Sequence, residues 1–216
     1  MKRLYLQITH SWKIALTGLL ILPLVAYGIV HWIEKKYASL PYYGPNNVIT
    51  DQANAVRLPN FTFQDQYNEV INNQSIQNKI VLANFFFTSC PTVCPKMLAQ
   101  LKRVIDICNQ PTLIILSLTV DPQHDSISVL QRYSKKHNLP TTWKLLTGNK
   151  KSLYYFARKG LFITATDGDG GPTDFIHSNY IVLLDQQQKI RGYYLGTSEN
   201  EMNDLIADIK NLQHEQ

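Results

Sequence analysis

The sequence predicts an α/β fold in which a central sheet has helices on both faces. Apolar runs of strand length alternate with amphipathic stretches of helix length, and this alternation is typical of such sheets. The apolar fraction of 44%, with 12 Tyr and 8 Phe in 216 residues, is sufficient for a packed core. The apolar run Ile80–Phe87 is rich in aromatic residues, and we expect it to be a fully buried strand.

The other predicted elements follow in a simple order. Phe61–Phe63 alternates apolar and polar residues, and it is expected to pair with Glu69–Ser75 as a hairpin that opens the domain. After Ile80–Phe87 we predict strands at Leu113–Val120, Trp143–Leu146, Tyr180–Leu184 and Lys189–Leu195, and helices at Pro95–Asn109, Ile127–His137, Lys150–Lys159 and Glu199–Leu212. The last two strands are expected to pair with each other as a hairpin.

An uncharged apolar stretch precedes the domain. Ile14–Trp32 contains 19 residues and no Asp, Glu, Lys or Arg. As a helix it would be roughly 28 Å long, close to the hydrocarbon thickness of a membrane. We therefore predict a single transmembrane helix, and three basic residues before it indicate a cytoplasmic N-terminus. A cleaved signal peptide is the alternative, but Ala26-Tyr27-Gly28 is a poor cleavage site.

Composition divides the chain into three parts. Residues 1–33 are predicted to be the cytoplasmic N-terminus and the membrane anchor. Residues 34–56 are polar, contain two prolines and a glycine, and show no sustained period, so we predict a linker there. Residues 57–216 are predicted to form the folded domain. The net charge of +5 is scattered and includes no arginine-rich block, which argues against nucleic acid as a partner.

Two cysteines stand where the Ile80–Phe87 strand is followed by a helix. Cys90 and Cys94 are separated by three residues, and a proline follows each of them. The helix N-terminus favours thiolate over thiol, and a thiolate is both a nucleophile and a metal ligand. The third cysteine, Cys108, shares a helix face with apolar residues, so we expect a buried and inert thiol there. Zinc usually needs a second pair of ligands, whereas two thiolates with one further soft or borderline ligand suit Cu(I) better.

His177 is the preferred third ligand of such a site. It follows a glycine-rich loop and directly precedes the Tyr180–Leu184 strand, which in a thioredoxin-like sheet neighbours the strand that carries the cysteines. His124, in a loop after another strand, is a second candidate. No proline stands just before the Tyr180–Leu184 strand, where thiol-exchange enzymes of this fold usually carry one, and this disfavours a general disulfide exchanger.

Asp121 and Asp125 follow the Leu113–Val120 strand, and two interpretations of them stay open. They can serve the turn and cap the next helix. They can also orient a metal ligand or tune the thiolates from outside the ligand set.

Three blocks of the sequence together resemble the Sco/SenC family of membrane-anchored copper-binding proteins. The similarity extends from about Leu58 to Leu212. The blocks are Phe86–Pro95, Ser117–Ser126, and His177-Ser178 followed by Tyr180–Asp185.

The resemblance implies a thioredoxin-like fold and a copper ion, Cu(I) or Cu(II), bound by Cys90, Cys94 and His177. It also implies a metallochaperone that delivers copper to the CuA centre of cytochrome c oxidase during assembly. The implied partner is the oxidase subunit that carries this centre, with other copper chaperones or thioredoxin-like reductants as further partners. We expect a location in a bacterial inner membrane with the C-terminal domain in the periplasm, and a mitochondrial inner membrane facing the intermembrane space is the alternative.

Enzymatic alternatives remain beside the copper carrier, although we do not expect a conventional enzyme. A thiol-disulfide oxidoreductase would reduce the cysteines of the oxidase copper site or serve envelope redox defence, with Cys90 as the attacking thiol and Cys94 as the resolving thiol. A peroxide-reducing enzyme would need an activating Arg or Thr near its cysteine. Thr88 is available for that role, but no arginine is close in sequence.

Overall fold

The structure is a computed structural model that describes residues 19, 21–30, 39–45, 48–163 and 178–215. The chain divides into two compact units, Met1–Ser39 and Leu40–Gln216. In the first unit, residues 21–30 form helix α1, whose apolar side chains are exposed. Within the described residues, no helix combines the length and the apolar character that a membrane crossing requires. The predicted span Ile14–Trp32 lies partly outside the described residues, so the anchor stays a prediction.

The second unit contains a five-stranded sheet with the strand order β7-β6-β5-β8-β9. Two small hairpins, β1-β2 and β3-β4, precede it along the chain. The strands are β1 Tyr42–Tyr43, β2 Ile49–Thr50, β3 Thr62–Gln64, β4 Val70–Asn72, β5 Ile80–Phe86, β6 Leu113–Thr119, β7 Trp143–Leu146, β8 Tyr180–Leu184 and β9 Ile190–Leu195. The helices are α2 Val93–Cys108, α3 Ile127–Lys136, α4 Lys150–Tyr155, which continues into a π-helical turn at Phe156–Gly160, and α5 Glu199–His214.

The sheet combines parallel and antiparallel pairs. Strand β6 lies parallel to β5 and to β7, whereas β8 lies antiparallel to β5 and to β9. Every residue of β5 and β6 is buried, as expected for strands that are covered on both faces. One face of the sheet packs on α2 and α5, and the other packs on α4 and the β3-β4 hairpin. The predicted α/β fold, its first hairpin and its β8-β9 hairpin are therefore confirmed.

The described residues between 40 and 56 pack on the domain. Leu40 is 9% exposed, and its carbonyl oxygen accepts a hydrogen bond from Arg191 of β9 at 2.7 Å. The Arg191 guanidinium also lies over the ring of Tyr42, 4.0 Å from its centroid. The compact unit thus begins at Leu40 and includes residues that their composition had assigned to the linker. Their partner is about 150 residues away in the chain, which is why local composition gives no sign of the contact.

Candidate metal centre

Cys90 lies in the loop between β5 and α2, and Cys94 is the second residue of α2. The backbone N–H of Cys94 donates a hydrogen bond to the sulfur of Cys90 at 3.4 Å. The residue at the N-cap of α2, Thr92, makes no capping hydrogen bond with its own side chain. The Cys90 sulfur therefore takes the position of a helix cap, where the free N–H groups and the helix dipole stabilise negative charge.

The two thiols are chemically unequal. Burial is the largest single influence on the Cys90 thiol, and it opposes ionisation. Hydrogen bonds outweigh it together and lower the pKa of Cys90; they come from the Cys94 thiol and from the backbone N–H groups of Cys94, Thr92 and Val93. For Cys94, which is 8% exposed, burial and the hydrogen bond with Cys90 raise the pKa to about 12. Both cysteines are free thiols in the structure. The site therefore pairs an accessible, acidic thiol with a buried, weakly acidic one.

A pocket of about 410 Å³ opens beside the two cysteines. Phe86, Phe87 and Val120 are among the residues that form its apolar wall, and Ser178 and Asn179 also line it. Strand β8 begins directly after Asn179 and pairs antiparallel with β5, so the chain enters β8 at the end of β5 that leads to the cysteines. The prediction that these two strands are neighbours is confirmed. His177 itself lies outside the described residues.

Asp125 ties the cysteine loop to the neighbouring strand. Its carboxylate is fully buried and accepts hydrogen bonds from the backbone N–H of Thr88, at 3.2 Å, and from the Thr88 hydroxyl. It also accepts a hydrogen bond of 2.5 Å from the hydroxyl of Thr119, which lies at the end of β6. Because the Thr88 hydroxyl is used in this contact, it is directed to a carboxylate rather than left free to activate a cysteine.

Asp121 serves the turn between β6 and α3. Its backbone N–H donates to the Thr119 hydroxyl at 3.0 Å, and its carbonyl oxygen accepts the N–H groups of His124 and Asp125 at 3.1 and 2.9 Å. These contacts support the interpretation that Asp121 serves the turn. Any influence of Asp121 or Asp125 on a bound ion stays a prediction.

Tyr133, on α3, belongs to the same neighbourhood and was not predicted from the sequence. Its ring packs on Phe86 with the centroids 5.7 Å apart, and it lines a narrow cavity together with Cys94. Burial raises the pKa of Tyr133 to about 12, and negative charge on Cys94, Cys90 and Asp125 acts in the same direction. Tyr133 is three residues after the core residue Leu130, and this spacing was the available signal that it faces inward.

The remaining candidates lie elsewhere. Cys108 is 8% exposed in the core at the far end of α2, so its predicted burial is confirmed. Along a helix it is roughly 21 Å from Cys94. His124 is exposed. Among the residues that the structure describes, no group of three or more His, Cys, Asp and Glu side chains is arranged to hold a metal ion. The structure thus brings the two cysteines together, and the predicted third ligand lies beyond its described range.

The sheet is mixed and five-stranded, and its two cysteines lie in the loop after a central strand and in the first turn of the following helix. This arrangement defines a thioredoxin-like protein. The chain belongs to the SCO1/SenC family, whose model matches residues 50–214.

Known proteins agree with this assignment. The SCO1 protein homolog of Bacillus subtilis (strain 168) is 31% identical over 155 residues, which cover 69% of this chain and 79% of the homolog. The solved structure of BsSco matches this chain with a TM-score of 0.63 and 26% identity. BsSco is a member of the Sco family of cytochrome c oxidase assembly proteins, and a disulfide switch has been identified in it. That match covers 75% of this chain and 96% of BsSco. Arabidopsis thaliana ScoI, solved with copper bound, shares the fold with a TM-score of 0.59 at 18% identity, over 72% of this chain and 99% of ScoI.

Proposed function

We propose that this protein is a copper carrier in which Cys90, Cys94 and His177 hold the ion. One observation carries the proposal: Ser178 and Asn179 line the same pocket as both cysteines. A single peptide bond joins His177 to Ser178, which keeps their Cα atoms about 3.8 Å apart. This short connection from the pocket residue Ser178 supports His177 as the third ligand that we propose.

The chemistry of these three side chains fits copper. Thiolates select soft ions such as Cu(I), and a neutral imidazole is a good ligand for copper in either oxidation state. Hydrogen bonds at the helix N-terminus favour the Cys90 thiolate, so this sulfur is ready to bind first. Cys94 is buried and must lose a tightly held proton, so copper binding should release protons and weaken as the pH falls.

The unequal exposure of the sulfurs supports transfer as well as storage. Cys90 is partly exposed, whereas Cys94 is buried. An incoming ligand from a partner can therefore reach a copper ion from the Cys90 side while Cys94 still holds it. Exchange of one ligand at a time is the mechanism we propose for handing over the ion.

The proposed recipient is the CuA centre of cytochrome c oxidase during its assembly. Membership of the SCO1/SenC family supports this recipient, since the family includes the oxidase assembly protein BsSco. A membrane anchor at Ile14–Trp32 would keep the carrier beside a membrane-embedded oxidase. The proposed location is a bacterial inner membrane, with the copper-binding domain in the periplasm.

An anaerobic copper titration of the full chain tests the proposed ligands. The wild-type protein should bind one copper ion, and Cys90→Ala, Cys94→Ala and His177→Ala should each lose most of this binding. His124→Ala is the matched control, because His124 is an exposed histidine of the β6-α3 turn, and it should bind like the wild type. Unchanged affinity in His177→Ala would remove His177 from the site.

Thiol-disulfide exchange is the second candidate function, and the unequal thiols favour it. The lowered pKa of Cys90 and its partial exposure suit an attacking thiol, and the buried Cys94 suits a resolving thiol. Copper binding requires the reduced pair, so both functions can coexist. A His177→Ala variant that loses copper but fully restores oxidase assembly in cells would make thiol exchange the main function.

A further inference from the structure

Tyr133 lines a narrow cavity together with Cys94, and its hydroxyl group has no hydrogen-bond partner in the described part of the chain. Its ring is fixed by aromatic neighbours on two sides. The centroid of the Phe86 ring is 5.7 Å away, and that of His137, one turn further along, is 4.3 Å away. A half-buried phenol held in this way is restricted in where it can place its O–H group.

Helix geometry and the shared cavity both favour a Tyr133 side chain that reaches towards Cys94. A long side chain in a helix points back towards the N-terminus of that helix. Helix α3 begins at Ile127, two residues after Asp125, which holds the cysteine loop through Thr88. Tyr133 and Cys94 also line one narrow cavity. A tyrosine hydroxyl is protonated at neutral pH, so it is available as a hydrogen-bond donor.

We propose that the Tyr133 hydroxyl donates a hydrogen bond to the sulfur of Cys94 when that sulfur holds copper. This inference rests on the proposed copper site and adds one residue outside its ligand set. A buried thiolate needs donors, and the backbone N–H of Phe87 already supplies one to Cys94. The Tyr133 hydroxyl supplies a second donor, and copper binding gives this unpaired group a partner.

The hydrogen bond would set the preference of the site between the two oxidation states of copper. A donor on a metal-bound thiolate withdraws electron density from the sulfur. It therefore favours the Cu(I) form, in which the centre carries more negative charge, and it moves the sulfur-to-Cu(II) charge-transfer band to shorter wavelength. Tyr133 is thus a positioning and tuning residue rather than a copper ligand.

Tyr133→Phe in the full chain, loaded with Cu(I) or Cu(II) ions alone, tests this role. The substitution keeps the ring and removes only the hydroxyl. One copper ion should still bind, but the ratio of Cu(I) affinity to Cu(II) affinity should fall about tenfold, the equivalent of one hydrogen bond. The charge-transfer band of the Cu(II) form should move to longer wavelength. Equal melting temperatures of the copper-free proteins would show that packing is preserved.

Tyr155→Phe is the matched control, since Tyr155 is 61% exposed on α4, and it should change neither quantity. A Tyr133→Phe protein with the wild-type band and the wild-type affinity ratio would overturn the inference while leaving the copper site intact. A wild-type protein whose copper binding does not depend on Cys90 and Cys94 would instead overturn the proposed function, and the inference with it.

Discussion

The buried carboxylate of Asp125 accepts two hydrogen bonds from Thr88, one from the backbone N–H and one from the hydroxyl. Thr88 is two residues before Cys90, so this contact fixes the start of the loop that carries the cysteine. The same carboxylate accepts the Thr119 hydroxyl at the end of β6. The position of Cys90 thus depends on a residue that lies 35 positions further along the chain.

Asp125→Ala should destabilise the domain by about 2–3 kcal/mol, because it leaves the donors of half-buried Thr88 and of buried Thr119 without this acceptor. Urea unfolding of the copper-free chain measures this loss. Copper affinity should fall as well, since the Cys90 loop loses its main support. Asp125→Asn keeps one acceptor oxygen and should lose less stability than Asp125→Ala. An alanine variant within about 0.5 kcal/mol of wild type would show that the contact is unimportant.

The two thiols should react at different pH values. The lowered pKa of Cys90 leaves a larger thiolate fraction near neutral pH, whereas Cys94, with a pKa of about 12, stays protonated there. Initial rates of alkylation by iodoacetamide, followed by mass spectrometry from pH 6 upwards, should therefore show Cys90 reacting first. Cys108 is an internal control, because burial raises its pKa and it is far from the site. Faster modification of Cys94 than of Cys90 at neutral pH would contradict the assigned asymmetry.

Arg191 should hold the described residues between 40 and 56 to the domain. It is 3% exposed and forms ion pairs with Asp185 at 3.3 Å and with Glu215 at 2.7 Å, besides its bond to the Leu40 carbonyl. Arg191→Met should cost about 3 kcal/mol in the free energy of unfolding, because it removes a buried cation from two carboxylates and a donor from the Leu40 carbonyl. Limited proteolysis should also cut the segment sooner than in wild type.

Lys189→Met is the control for this prediction. Lys189 lies next to β9, and its Nζ makes an exposed hydrogen bond with the carbonyl oxygen of Gln52 at 2.8 Å. Its loss should cost less than about 1 kcal/mol. If the two variants lost equal stability and the segment stayed protected in both, the anchoring role of Arg191 would be wrong.

The sequence predicted the sheet well because burial on both faces produces continuous apolar runs. Strands β5, β6 and β8 lie in the middle of the sheet, and each was visible as such a run. The cysteine pair was predicted for a related reason, since the end of a buried strand and the start of an amphipathic helix are both local signals. The strand pairing that brings residues 178 and 179 to the same pocket required a known fold as a guide.

Contacts between distant segments could not be predicted in this way. The short hairpin β1-β2 lies in a polar stretch, and its support comes from Arg191, on another strand. Tyr133 has the spacing of a core residue, and nothing in its own helix shows that it lines a cavity with Cys94. Such relationships depend on how α3 packs beside α2, which periodicity within one helix does not determine.

The central claim is that Cys90, Cys94 and His177 bind the same copper ion. X-ray absorption spectroscopy at the copper edge, on the full chain loaded anaerobically with one equivalent of Cu(I), tests it most directly. We expect two sulfur donors and one imidazole nitrogen in the wild type, and loss of the imidazole signal in His177→Ala. An imidazole signal that persists in His177→Ala, or a wild-type centre without two sulfur donors, would contradict it.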